Sequence, residues 1–154
     1  MDQNKRDENC LRAAFDVARK SRDAGDHPFG AILADADGHI LMEQANGYTI
    51  EGNDRTAHAE RLLASRAARD LPLSVLAGCT LYSSAEPCAM CAGALLQARA
   101  ARLVYGAHDP KAGAVESRFR LLSDPRLNHR VEIISGVLAE KSQNLLRQFF
   151  EERR

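Results

Sequence analysis

The chain has 154 residues, which fits one domain large enough to bury a hydrophobic core without disulfides. Lysine plus arginine and aspartate plus glutamate both total 21, so no global positive field favours binding of a nucleic acid. The chain has no apolar stretch long enough to span a membrane and no secretory leader pattern at its start. We therefore expect a cytoplasmic protein with one domain, residues 1–154, that does not bind a membrane.

The first half of the chain predicts, in order, a helix, two strands and a second helix: residues 9–24, 29–34, 39–45 and 57–70. Leu11, Phe15 and Ala18 recur at helical spacing among charged residues, which indicates an amphipathic helix. The two strands flank the sequence Asp-Ala-Asp-Gly, whose Asp-Gly pair is a strong signal for a hairpin. The polar start of the chain is expected to precede the first helix.

The second half predicts a strand, a helix, two further strands and a closing helix: residues 78–85, 88–101, 102–107, 129–137 and 138–154. Pro87 marks the start of the middle helix. A long loop with about one helical turn is expected over residues 108–128. Strands that alternate with helices predict a three-layer α/β/α domain, in which one sheet is covered on both faces.

Two cysteines in the second half have the spacing of a metal or redox site. Cys88 and Cys91 form the only C-x-x-C pair, and their i, i+3 spacing places both sulfurs on one side of a helical first turn. The positive end of the helix dipole favours thiolate there, and thiolate is the form that binds zinc. Cys10 and Cys79 lie apart from this pair and are expected to be core residues.

A histidine and a glutamate upstream complete the pattern. A structural zinc site needs four protein ligands, but the chain has no second C-x-x-C and no H-x-x-x-H, so His58 is the best candidate for a third ligand. Three ligands and one open position are typical of catalytic zinc, which activates a water. Glu60 lies about 200° further around a regular helix, so both residues face one ion only if His58 lies at an irregular helix start. We predict that Glu60 transfers the protons of the reaction.

The combination of His-x-Glu with Pro-Cys-x-x-Cys is the pattern of zinc-dependent nucleobase deaminases. On these residues the chain resembles the cytidine deaminase superfamily, which implies a three-layer α/β/α fold with a mixed sheet of about five strands. Several segments resemble the bacterial tRNA adenosine deaminases: NDRTAHAE, EPCAMCAGAL, VYGAHDPKAGA, LNHRVEI and FFEERR. The segment HPFGAIL is instead similar to guanine and other purine deaminases.

The resemblance implies roles for particular residues. His58, Cys88 and Cys91 would hold about one zinc ion per chain, and Glu60 would be the proton shuttle. Substrate contacts are expected at six further positions: Phe29, Asn46, Ala59, Asp109, Asn128 and Phe150. The resemblance also implies a homodimer, since the tRNA adenosine deaminases are homodimers.

Some of these residues also have simpler interpretations. Asn46 could cap a strand end, Asp109 precedes Pro110 in a fair turn signal, and one of the adjacent Phe149 and Phe150 must pack inward. The remaining histidines are expected on the surface, in turns or in hydrogen bonds rather than as ligands: His27, His39, His108 and His129.

The predicted activity is hydrolytic replacement of the exocyclic amine of a nucleobase by oxygen. Phe29, Glu151, Glu152 and the zero net charge favour a closed pocket for a free aminopurine base or its nucleoside, which we expect as the substrate. The carboxyl-terminal half favours an alternative, a tRNA anticodon loop whose wobble adenosine becomes inosine, which needs an open groove with phosphate contacts. A lesser alternative is a zinc-binding subunit without activity, and the intact Glu60 argues against it.

Overall fold

A computed structural model describes residues 2–152 of the chain. Within this range the elements are α1 Gln3–Asp23, β1 Gly30–Ala34, β2 Ile40–Ala45, α2 Ala59–Asp70, α3 Leu73–Leu76, β3 Thr80–Ala85, α4 Ala89–Ala98, β4 Arg102–Ala107, β5 Glu132–Ile134 and α5 Ala139–Glu152. Their order is the predicted one with the short helix α3 added. Within the same range, no helix combines the length and the apolar character that crossing a membrane requires.

The strands form one mixed sheet in the order β2-β1-β3-β4-β5. β1 pairs antiparallel with both β2 and β3, whereas β3 with β4 and β4 with β5 pair in parallel. β1 and β2 form the predicted hairpin around Asp35, whose carboxylate accepts the backbone N–H groups of Asp37 at 3.0 Å and His39 at 2.9 Å. Parallel strands need a crossover connection, and α4 supplies it between β3 and β4.

Helices cover both faces of this sheet. On β1, the side chains of Ala31 and Leu33 enter the core shared with α2 and α4, whereas Ile32 enters the core shared with α1. All of β1 is buried, as expected for a strand with a helical layer on each face. Cys10 and Cys79 are buried in these two cores, as predicted. The three-layer α/β/α fold with a mixed sheet is therefore confirmed.

Two helix ends differ from the predictions because capping decides them. α1 begins at Gln3 rather than at residue 9, since the carboxylate of Asp2 accepts the backbone N–H of Lys5 at 2.8 Å and caps the helix. α4 ends at Ala98 rather than at residue 101, since Arg99 takes a left-handed conformation with φ of 68°. The polar start of the chain is thus the first part of α1.

The carboxyl-terminal third is less regular than predicted. β5 spans only Glu132–Ile134 instead of residues 129–137, and the helical turn expected in residues 108–128 is a series of turns without a helix. The closing helix begins at Ala139, and the last two residues of the predicted 138–154 lie outside the described residues. Part of this stretch is held in place by backbone N–H groups of residues 109 and 115–117, which donate to the carboxylate of Glu86.

The topology brings several chain segments to one end of the sheet. Phe29 precedes β1 and Asn46 follows β2, and antiparallel pairing places both at the same end. Residues 86–88 follow β3 and residues 108–109 follow β4, so they also lie there. The carboxyl ends of parallel strands are the usual location of ligand sites in α/β folds. A functional site is therefore expected at this end of the sheet.

Candidate functional site

The three predicted ligands meet at the amino-terminal ends of α2 and α4. Nδ1 of His58 lies 3.5 Å from the sulfur of Cys88 and 3.5 Å from that of Cys91, and the three ligand atoms lie within 4.8 Å of one another. His58 and Cys88 are the residues that precede the first turns of α2 and α4, with extended backbones, and Cys91 lies in the first turn of α4. The shared core beneath these two helices holds the three residues together.

The spacing of these atoms suits a zinc ion. With Zn–S bonds of about 2.3 Å and Zn–N bonds of about 2.0 Å, tetrahedral coordination separates a sulfur from a nitrogen ligand by about 3.5 Å. Both measured sulfur–nitrogen distances are 3.5 Å. Two thiolates and one imidazole are also ligands that zinc prefers. Three protein ligands leave one coordination position for a water or a substrate atom, as the sequence predicted.

The surroundings of the two thiols favour a cation between them. Hydrogen bonds from Cys91 and from His58 lower the pKa of the Cys88 thiol to about 4, although burial opposes this. The positive end of the α4 dipole acts in the same direction. The hydrogen bond to Cys88 raises the pKa of Cys91, as burial also does. Two thiolates this close would repel each other, so both thiols would ionise only with a divalent cation between them. Zinc meets that requirement.

Glu60 lies beside this cluster in the first turn of α2. Glu60 is only 6% exposed, and its side chain lines the same cavity as His58. This arrangement is possible because the backbone of His58 is extended (φ −70°, ψ 149°), which is the irregular helix start that the prediction required. Burial raises the pKa of the Glu60 carboxyl. A raised pKa makes a carboxyl group a better proton acceptor than an ordinary one, as proton transfer in a reaction requires.

A cavity of about 130 Å³ lies in front of Glu60, His58 and Cys88. Its other lining residues come from the strand ends and from the segment after β4: His27, Phe29, Asn46, Ala85, Glu86, Asp109 and Ala112. Three of the six residues predicted to contact a substrate line this cavity, and their contacts with a substrate stay predictions: Phe29, Asn46 and Asp109. Asp109 also has the predicted turn role, since its Oδ1 accepts the backbone N–H of Lys111 at 3.0 Å.

The other three predicted contacts do not line this cavity. Ala59 is fully buried in the core beneath α2, because the first helical turn directs its side chain inward. Asn128 is exposed in the loop before β5. Phe150 is 54% exposed on α5, while its neighbour Phe149 packs inward. Substrate contacts by Ala59, Asn128 and Phe150 stay predictions, as does the expected homodimer.

Asn46 is held by an aspartate that sequence reasoning missed. The buried carboxylate of Asp26 accepts Nδ2 of Asn46 at 2.7 Å, the backbone N–H of Thr49 at 2.8 Å and that of His27 at 2.7 Å. Although burial opposes ionisation, these hydrogen bonds lower the pKa of Asp26. Within residues 2–152 the amide oxygen of Asn46 accepts no hydrogen bond, so it can accept one from a substrate. In the sequence, Asp26 directly follows Gly25, and this pair indicates only a turn.

Glu86 is the second residue that sequence reasoning missed. Its fully buried carboxylate accepts the backbone N–H groups of Asp109 (2.9 Å), Val115 (3.1 Å), Glu116 (2.9 Å) and Ser117 (3.0 Å), and also the Ser117 hydroxyl. Although burial opposes ionisation, these hydrogen bonds lower the pKa of Glu86 to about 2. Glu86 therefore fixes segment 108–117, which forms one wall of the cavity. Its position before Pro-Cys is the only sequence signal.

Comparisons with known proteins agree with this site. Residues 4–107 match the family described as the cytidine and deoxycytidylate deaminase zinc-binding region. The tRNA-specific adenosine deaminase of Haemophilus influenzae is 43% identical over 148 residues, which are 96% of this chain and 85% of that protein. A solved structure from a study of A-to-I editing by tRNA:A34 deaminases at the wobble position of transfer RNA has a TM-score of 0.76 and 38% identity, covering 90% of this chain and 99% of that one.

A second solved structure, from a study of the guanine deaminase of Nitrosomonas europaea, has a TM-score of 0.74 and 23% identity. It covers 92% of this chain and 83% of that one, and it shares the fold. The family match, the relatives and the geometry of the cluster together confirm the resemblance seen in the sequence. The chain belongs to the cytidine and deoxycytidylate deaminase family of zinc-binding nucleobase deaminases.

Proposed function

We propose that the chain is a tRNA adenosine deaminase that converts the wobble adenosine of an anticodon loop to inosine. The observation that carries this proposal is the 43% identity to a tRNA-specific adenosine deaminase over 96% of the chain. The preference for a free aminopurine, derived from the sequence, has weaker support, because a guanine deaminase structure from Bacillus subtilis is 31% identical over 77% of this chain, with a TM-score of 0.59, whereas the tRNA deaminase structure is 38% identical over 90%. Of the two substrates expected from the sequence, the tRNA anticodon loop therefore has the better support.

The residues of the cavity have complementary roles in this reaction, in which adenosine and water give inosine and ammonia. His58, Cys88 and Cys91 would hold a zinc ion, which when bound would lower the pKa of a water and so supply a nucleophile at neutral pH. Glu60 accepts one proton of the attacking water and donates it to the ring nitrogen beside the attacked carbon. It then takes the second proton from the newly added hydroxyl and transfers it to the amine, so that the C–N bond breaks, ammonia leaves and a C=O bond forms. The amide oxygen of Asn46, held in place by Asp26, accepts a hydrogen bond from the base.

Two exposed cations lie beside the cavity, among carboxylates that include Asp54 and Asp109. Arg55 is exposed in the loop before α2, and Lys111 is exposed next to Ala112, which lines the cavity. Single-stranded RNA loops are recognised at their unstacked bases, and nearby arginine and lysine residues position their phosphates. These two side chains are placed to make such contacts with an anticodon loop.

A free aminopurine or its nucleoside is the second candidate substrate. Phe29 lines the cavity and can pack against a purine ring, and Glu151 and Glu152 at the end of α5 are exposed and would repel phosphate. These observations concern the size and charge of the substrate, and they leave the assigned chemistry of Glu60 unchanged.

The test compares inosine formation in an anticodon stem-loop with ammonia release from guanine, adenine, cytosine and their nucleosides, each at two salt concentrations. We expect inosine in the stem-loop and little turnover of free bases. The efficiency should fall steeply with salt, because each contact with a single-strand phosphate adds about 0.7 to the salt slope. A stem-loop with guanosine at the wobble position and a Glu60→Ala protein are the controls. Efficient ammonia release from a free base, without inosine in the stem-loop, would contradict the proposal.

A further inference from the structure

A second cavity opens directly beside the reaction cavity. It has a volume of about 360 Å³, against about 130 Å³ for the reaction cavity, and we call it the outer cavity. The two cavities share three lining residues, His27, Asn46 and His58. Tyr48, Asp54 and Arg55 complete the lining of the outer cavity. A molecule with its reacting base in the first cavity therefore has its next group at the second.

Aromatic rings form one side of the outer cavity. The rings of His27 and Tyr48 are stacked, with centroids 5.7 Å apart and planes within 8° of parallel. The ring of Phe149, which is buried, meets His27 edge-on at 5.8 Å and supports it. His27 is exposed and Tyr48 is half-buried, so both are accessible from the cavity. Stacking on such rings is how proteins bind unpaired bases of single-stranded RNA.

The polar groups around the outer cavity are available to a ligand. Within residues 2–152, the Tyr48 hydroxyl, the ring nitrogens of His27 and the guanidinium of Arg55 make no hydrogen bond or ion pair. One carboxylate also lines it, Asp54, whose Oδ1 accepts the backbone N–H of Thr56 at 2.8 Å and its hydroxyl at 2.7 Å. Polar groups without protein partners that converge on a cavity are typical of a binding site.

We infer that the outer cavity binds the nucleotide next to the target adenosine in a single-stranded RNA, with its base on the His27–Tyr48 pair and its phosphate at Arg55. This inference rests on the proposed function. The aromatic pair and the cation then select RNA loops over free nucleosides.

The test is a double-mutant cycle between the protein and the RNA. Tyr48→Ala is compared with the parent on an intact anticodon stem-loop and on stem-loops that lack the base on the 5′ or the 3′ side of the target. A stacked base contributes enough that Tyr48→Ala should lower kcat/KM on the intact loop by about fivefold to a hundredfold. On one of the two abasic loops the parent should lose the same factor, and Tyr48→Ala should lose no more than about twofold further.

Matched variants separate stacking from folding. Tyr48→Phe keeps the ring and should stay within about threefold of the parent, and all variants should keep their zinc and their melting temperature. Arg55→Ala should lower the salt slope by about 0.7, whereas Arg55→Lys should keep it. If Tyr48→Ala is as active as the parent on the intact loop, or loses one constant factor on all three loops, the inference is wrong.

A further arm uses adenosine 5′-monophosphate as the substrate. If the parent deaminates it and Tyr48→Ala lowers that rate as much as the stem-loop rate, the outer cavity holds the ribose phosphate of the target itself, and the inference is overturned. The proposed function fails in a different way, when the parent protein forms no inosine in the intact stem-loop. The parent reaction alone therefore distinguishes the two failures.

Discussion

The floor and the wall of the reaction cavity are built in different ways. We define the floor as His58, Glu60 and Cys88, which line the cavity, together with Cys91, which is buried beside them; all four lie at the starts of two helices that share one core. We define the wall as segment 108–117, which contains no regular element and is held by hydrogen bonds to Glu86. The floor therefore contains the reacting groups in short motifs, whereas the wall shapes the cavity through contacts distant in sequence.

The largest effect is expected from a variant that removes a proposed zinc ligand from the floor. Cys88→Ser should remove most of the bound zinc and abolish deamination, because a hydroxyl does not replace a thiolate as a zinc ligand. Metal analysis of the purified protein and an ammonia or inosine assay measure both losses. Cys79→Ser is the matched control, since Cys79 is a buried thiol that donates to the carbonyl of Val75 and lies outside the cluster. Full zinc content in Cys88→Ser would show that the ligand set is wrong.

The next effect separates zinc binding from proton transfer within the floor. Glu60→Ala should keep its zinc while turnover falls by about 10²–10⁴-fold, the usual contribution of a general acid–base group. Glu60→Gln keeps the size of the side chain but cannot carry the proton, so it should lose as much. Zinc content and turnover are measured on the same preparation. Activity within about threefold of the parent in either variant would refute the assigned role.

The smallest effect concerns the wall. Glu86→Gln replaces an acceptor oxygen by an amide N–H that faces backbone donors, so it should raise KM, lower kcat/KM by about tenfold and leave zinc in place. The free energy of unfolding should fall by about 1–3 kcal/mol at neutral pH, the usual cost of unsatisfied buried groups. Glu43→Gln, at an exposed glutamate of β2, is the matched control. Unchanged kcat/KM and stability in Glu86→Gln would mean that the wall does not depend on Glu86.

The pH dependence of stability sharpens the same test. The pKa of Glu86 is about 2 in the folded protein, below its ordinary value of 4.5, so its stabilisation is complete above about pH 4.5. That stabilisation is lost as the pH falls from there toward 2. Chemical unfolding at pH 7 and near pH 3 should therefore show a smaller difference between the parent and Glu86→Gln at the lower pH. A difference that stays constant would assign the effect to packing instead of charge.

The floor could be predicted because its signals are local. His58-x-Glu60 and Pro87-Cys88-x-x-Cys91 place their side chains by helix-start geometry, which depends on a few neighbouring residues. The three layers were likewise predicted from hydrophobic periodicity, since a strand between two helical layers must be apolar on both faces. The start of α1 and the end of α4 were not predicted, because Asp2 and Arg99 decide them through individual capping contacts.

Only the tertiary structure decided what surrounds the reacting groups. Asp26 accepts a hydrogen bond from a side chain 20 positions further along the chain, and Glu86 accepts bonds from backbone N–H groups 23 to 31 positions further along. No spacing rule connects a carboxylate to donors that distant. The stacking of His27 on Tyr48 also arises where β1 and β2 bring two loops together. Local motifs therefore determined which groups meet at the candidate site, and long-range hydrogen bonds and packing determined the shape of the cavity beside them.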